Sequence, residues 1–303
     1  MTNRGLAAVG AAVVVGMAGC SSTPPDQAAQ PTGFTAAPTP ENTDATPPAA
    51  SDHPSPAMGH IHALQINSAD QTLYAAAHYG LFRVAEGRPP QLTGDLIQDF
   101  MGFTVAGPDH FLASGHPGAG QPGPWNLGLI ESTDGGQSWN TLSLSGEADF
   151  HALDYAHGRV YGLDSHTSEV MVSEDTLTWQ ARSPVAAVDL AVSPQDPDEI
   201  LITTADGVQR TRDGGANYEA VPDAPTLVYL SWPDTGALIG VDPAGSLYAS
   251  DDGGTTWQAR HRLAEPPQAV FASGDGGVFV ATATAIYRSS DDAATMTELV
   301  SVQ

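Results

Sequence analysis

Short apolar runs recur along roughly the last four-fifths of this chain, each interrupted by Gly, Asp, Ser or Pro, a pattern of short strands joined by tight turns. Six of these runs open similar units: 60–64 (His-Ile-His-Ala-Leu), 99–103 (Asp-Phe-Met-Gly-Phe), 149–153 (Asp-Phe-His-Ala-Leu), 186–190, 226–230 and 267–271. Second runs follow them, as in 72–76 (Thr-Leu-Tyr-Ala-Ala) and 199–203 (Glu-Ile-Leu-Ile-Thr).

The polar breaks are as regular as the strands. Ser132 to Trp139 reads Ser-Thr-Asp-Gly-Gly-Gln-Ser-Trp, and Ser250 to Trp257 reads Ser-Asp-Asp-Gly-Gly-Thr-Thr-Trp. Thr211 to Tyr218 is a third copy ending in Tyr, Ser173 to Trp179 is one residue short, and Ser289 to Ala294 has lost both glycines. Their central residues Asp134, Asp175, Asp213, Asp252 and Asp291 are spaced by 41, 38, 39 and 39 residues. A fixed period of about 40 means stacked four-stranded units. Each copy lies between two β-rich runs and predicts a hairpin turn: Gly supplies positive φ, and Asp or Ser bonds nearby backbone N–H groups. The closing Trp139, Trp179, Trp257 or Tyr218 offers an apolar face to bury between units.

Aligning 81–86 with 286–291 adds a first unit whose break has decayed. Six units then fill 58–303 at about 41 residues each, predicting an all-β, six-bladed β-propeller. The first unit starts on its own inner strand and the last ends on its own outer strand. Closure is therefore expected from packing between blades, with no blade shared between the two ends.

The repeated turn resembles the Asp-box (BNR) repeat of sialidase-like β-propellers, in an actinobacterial lipoprotein branch often labelled glycosyl hydrolase. The resemblance implies that the boxes lie on the hairpins between third and fourth strands, as folding devices away from any active face.

The first nineteen residues read as a leader: Arg4, an apolar run over 6–15, then Met-Ala-Gly before Cys20, the chain's one cysteine. This resembles a bacterial lipobox with Cys20 lipidated. It implies a protein exported and anchored on the outer face of the cytoplasmic membrane, with no disulfide available. Residues 20–57 are rich in Pro, Thr, Ala and Ser and poor in groups to bury, the composition of a disordered tether. Thirty-five acidic residues against ten Arg and no Lys give a net charge of −25, which excludes nucleic acid as a natural partner. A monomer is expected.

Histidine is concentrated where a propeller's strand-entry turns emerge. His60 and His62 open the first blade and His78 follows its second strand; His116 holds the same turn in the second blade; His151 matches His62 in the third, with His166 in that blade's second turn. Asp99 and Asp149 align with His60, and Met101 with His62 and His151. Period-two alternation places 60/62, 99/101 and 149/151 each on one side of a strand. The equivalent columns of later blades, Ala186/Val188, Thr226/Val228 and Pro267/Ala269, are apolar or small. Imidazole suits Cu and Zn, thioether favours Cu(I), and carboxylate completes a Zn or Cu(II) shell. The half-ring of His60, His62, His78, Asp99, Met101, His116, Asp149 and His151 is thus read as a transition-metal site, with copper favoured over zinc. His53 and Met58, just upstream, are expected over the same mouth, and His110, His157 and His261 elsewhere and solvated.

Two other readings stay open. Glu147, Asp149 and Asp99 offer a carboxylate pair, and Trp125, in an insertion over 115–128, offers a stacking surface for sugar, so a non-sialidase glycosidase or carbohydrate binder fits. A binding disc for another protein also fits. Sialidase chemistry does not, because it needs three arginines converging on the substrate acid. Arg83, Arg210 and Arg288 instead precede the boxes. The balance of residues leans away from an enzyme.

Overall fold

A computed structural model describes residues 57–302; the leader, Cys20 and His53 lie outside the described residues. The described residues form six four-stranded antiparallel sheets and no helix, arranged as a six-bladed β-propeller. Every blade is a meander of four consecutive strands. The inner strands are Ile61–Ile66, Asp99–Gly107, Phe150–Ala156, Ala187–Val192, Tyr229–Ser231 and Pro267–Ala272. Blade 5 has only three residues in its inner strand, Tyr229–Ser231, against the five expected over 226–230, and Pro233, with no N–H to donate, lies just past its end.

The core is distributed. Six apolar clusters occupy the six boundaries between neighbouring blades, for example Phe100, Phe103 and Phe111 against Tyr74 and Leu81 between blades 1 and 2. Both faces of each small sheet are buried against a neighbour, so the second strands are apolar at nearly every position, Leu73–Ala77 being buried throughout. No strand is shared at the seam. Blades 6 and 1 close by burying Ile61, Phe82, Ile286 and Val300 together, with Gln268 Oε1 accepting from the Ile61 N–H at 3.0 Å. Met58 belongs to this seam: it is buried in the same cluster, which corrects its expected place over the mouth. An apolar thioether side chain gains more from that packing than from solvent exposure.

All five repeated turns join the third and fourth strands of blades 2 to 6. In the first, Ser132 Oγ donates to Asp134 Oδ1 at 2.8 Å and accepts from Gly136 N–H at 2.8 Å. Asp134 in turn accepts from the Ser138 N–H at 3.0 Å and hydroxyl at 2.6 Å. These hydrogen bonds, the Ser138 hydroxyl first, hold the Asp134 carboxyl down at about 2; equivalent bonds do so for Asp213, Asp252 and Asp291, and in the shorter turn the Thr178 and Leu177 N–H groups do so for Asp175. Gly136 has φ +86°, and a Cβ there would lie 2.5 Å from Leu81 of the preceding blade, so the second glycine permits close blade contact. The turn's Trp continues that contact. Trp179 Nε1 donates to Ser143 Oγ of blade 2 at 2.9 Å, and Trp139 packs on the cluster shared by blades 1 and 2, tilted on Phe100 of its own blade at 5.0 Å.

Candidate metal centre

The inner-strand residues His62, Met101 and His151 are each aimed by a local irregularity. The register of blade 1 steps from Ile61↔Ala77 to Ala63↔Ala76, leaving His62 as the extra residue of a β-bulge. Met101, His151, Val188 and Gln268 hold the same bulged position in blades 2, 3, 4 and 6. A bulge re-aims one side chain, so the simple alternation expected for 60/62, 99/101 and 149/151 does not describe them. It also corrects the column in blade 6, where Gln268 rather than Ala269 is the equivalent residue.

Two compact donor groups result, each with three atoms mutually within 4.8 Å: His62, His78 and Asp99, and His116, Asp149 and His151. In the second, Asp149 Oδ2 lies 2.9 Å from His151 Nε2 and accepts from Ser165 Oγ at 2.8 Å. The Asp149 N–H donates to Asp164 Oδ1 at 2.9 Å, which fixes the turn. Asp149 is only 4% exposed. Burial opposes its charge, yet hydrogen bonds from His151 and Ser165 outweigh that and hold its carboxyl below the usual range. Its other oxygen, Oδ1, is buried without a hydrogen-bond partner and lies 3.8 Å from His116 Nε2. His116 Nδ1 sits 3.0 Å from the Trp125 carbonyl, which only accepts. The proton of a neutral His116 therefore belongs on Nδ1, leaving the Nε2 lone pair aimed at the carboxylate.

The first group has the same ingredients. His78 Nδ1 lies 2.9 Å from Asp99 Oδ2, and His62 Nε2 lies 3.4 Å from Asp99 Oδ1 without hydrogen-bond geometry. Both of those last atoms are buried and unpartnered. Two orphaned polar atoms facing each other cost desolvation free energy that a shared cation would offset. His60 is exposed at its surface but partly desolvated, its ring 4.8 Å from that of His62; that partial desolvation first, and then the neighbouring His62, lower its pKa. It joins neither group.

Met101 is half-buried and lines the central channel with His62 and His151. Trp125 is 71% exposed, its ring stacked on His116 at 4.7 Å. Glu147 is exposed on the approach to blade 3, its N–H bonded to Leu144 O, while Asp149 and Asp99 are engaged with histidines. His166 is contacted by Asn126 Nδ2 at 3.3 Å. Two histidines expected to be solvated are in fact bonded, His110 to Glu131 at 2.8 Å and His157 to Ser193 O at 2.8 Å. Arg83, Arg210 and Arg288 pair with Asp70, Glu199 and Glu86, and no arginine lines the channel among the described residues.

Sequence reasoning overlooked two carboxyls deeper in that channel, a cavity of about 550 Å³. Asp154 Oδ2 accepts from Val192 N–H at 3.0 Å, and Asp189 Oδ2 from Leu230 N–H at 2.8 Å, each stapling one blade to the next. Burial raises Asp154 to about 6 and Asp189 to about 7. A carboxyl whose pKa is higher folded than unfolded opposes folding once ionised. The penalty is absent below pH about 4, grows as pH rises, and is complete above about 7. Asp189→Asn is therefore expected to gain thermal stability over the wild type at pH 8 and little at pH 4. An equal difference at both pH values would contradict it.

No family model matches the chain, and no curated protein matches it. Among solved structures, an ancestral GH74 enzyme superposes with TM-score 0.50 at 15% identity, over 77% of this chain and 36% of that one. The GH74 xyloglucanase of Xanthomonas campestris gives 0.50 at 16%, over 74% of this chain and 42% of that one. The chain thus spans well under half of either enzyme. Virginiamycin B lyase of Staphylococcus aureus gives 0.53 at 11%, over 80% of this chain and 84% of that one. At these identities the likeness is one of propeller fold alone.

Proposed function

We propose that this propeller binds a transition-metal ion, Cu(II) or Zn(II), at His116, Asp149 and His151, on a protein carried outside the cell by its leader and lipidated Cys20. The carrying observation is the buried, unpartnered Asp149 Oδ1 beside a histidine whose proton is held on the far nitrogen. Two imidazoles and one carboxylate make a borderline donor set that suits both ions, and three protein ligands leave a position for water or an exogenous ligand. Net charge −25 favours cation capture. Met101 on the same channel keeps copper ahead of zinc, since a thioether supports Cu(I) after reduction.

Trp125, stacked on His116, is a built-in reporter. Added Cu(II) is expected to quench its fluorescence, identified by difference from Trp125→Phe, and His116→Ala/His151→Ala to weaken that quenching by about 100-fold or more. Unquenched Trp125, or unchanged affinity in the double variant, would overturn the reading. The exposed Trp125 face also favours a second reading, sugar stacking near the metal. Glycan binding that persists with chelator and is lost in Trp125→Ala would support it.

A further inference from the structure

The two donor groups are copies of one arrangement. The strand partner of an inner-strand opening residue supplies a histidine in blades 1 and 2: His60 O accepts from His78 N–H, and Asp99 pairs with His116. The opening residue of the following blade supplies the carboxylate, Asp99 after His78 and Asp149 after His116. Each Asp–His pair therefore straddles a blade boundary, 1/2 for the first and 2/3 for the second. The bulged position adds the third donor from opposite sides, His62 from the blade before the boundary and His151 from the blade after it. The series stops at blade 3, where Ser165 takes the histidine's place, its N–H bonded to Asp149 O.

Resting on the reading of the blade 2/3 site, we propose a second, separate metal site at His62, His78 and Asp99, so that the propeller carries two ions, one at each boundary. Donors around one Zn(II) or Cu(II) lie about 2.0–2.2 Å from the ion, so a pair on one ion spans at most about 4.4 Å, and triads within 4.8 Å close on an ion by small side-chain adjustments. The two triads share no residue and straddle different blade boundaries, which separates two ions from one composite site. Three buried, unpartnered atoms would otherwise have to be explained one by one. His62 Nε2 and Asp99 Oδ1 lack partners at the first boundary and Asp149 Oδ1 at the second, where His116 Nε2 lies 3.8 Å away, and one cation at each boundary answers all of them. Each site offers three protein ligands, which leaves a coordination position for water or an exogenous ligand.

The groups touch through blade 2, because Asp99 of one triad and His116 of the other are direct strand partners. Filling one site fixes the backbone of the other, so the two ions are expected to bind with unequal or coupled affinities rather than as independent copies.

The test is Zn(II) stoichiometry by elemental analysis after gel filtration, with Trp125 quenching by Cu(II) followed in parallel. The wild type is expected to hold two equivalents. His78→Ala, whose side chain is 48% exposed and so dispensable for folding, should hold one and keep the quenching. Asp99→Asn should behave alike, with circular dichroism verifying its fold. One equivalent in the wild type, unaffected by His78→Ala, would overturn the second site and leave the first standing. One equivalent lost in either His78→Ala or His151→Ala would show a single composite site and overturn the proposal as well. No metal at all would sink both readings.

Discussion

Alanine at position 115 is expected to disturb both donor groups at once and to destabilise the propeller by about 2 kcal/mol or more. Gly115 has φ +147°, where L side chains are strained, and a Cβ there would lie 1.9 Å from Asp99 O and 2.9 Å from Met101 N. Those atoms belong to the inner strand of blade 2, and the next residue after Gly115 is His116. Asp99 serves the first triad and His116 the second, and the two are paired across the strands. Moving the backbone to admit one methyl therefore displaces a ligand on each side. Gly115→Ala should lower the denaturant midpoint and reduce Zn(II) uptake at both boundaries. Unchanged uptake of both ions would show that the strand yields without moving its ligands.

Phe150→Ala is expected to cost about 3–5 kcal/mol, the range for truncating a fully buried aromatic ring. Phe150 is 0% exposed, tilts on Trp179 at 4.8 Å, and covers Gly162 so closely that a Cβ there would fall 2.5 Å from its ring. Its N–H donates to Ser114 Oγ of blade 2 at 3.1 Å. For a domain of this size the loss corresponds to a Tm lower by about 10 °C. Phe150 also lies between Asp149 and His151, so the void opens under the second triad and should weaken Cu(II) quenching of Trp125 along with stability. Phe150→Leu, which refills most of the volume, should recover both. A Phe150→Ala protein that melts within 2 °C of the wild type, about 1 kcal/mol or less, would contradict the buried-anchor role.

The repeated Asp-centred turns determined the architecture before any coordinates, because a period of about 40 residues admits few packings and each turn carries its own hydrogen-bond chemistry. The seam without a shared blade followed from where the first and last strand patterns fall. The sequence also gathered the histidines, Asp99 and Asp149 on one face, since equivalent positions in equivalent units must meet around a ring. It did not divide them into two triads. That depended on bulges, which shift the phase of each inner strand by one residue and cannot be read from alternation alone. Met58 shows the same limit: a residue beside the tether was drawn into the seam by packing that only the assembled blades create. Asp154 and Asp189 were invisible for a related reason. Their raised pKa values come from burial within the ring, which outweighs the lowering effect of the backbone N–H groups that the next blade donates to them, and neither is written in the residues nearby. The sequence determined which units repeat; the tertiary ring decided which side chains face one another, because distances across blade boundaries exist only once the ring has closed.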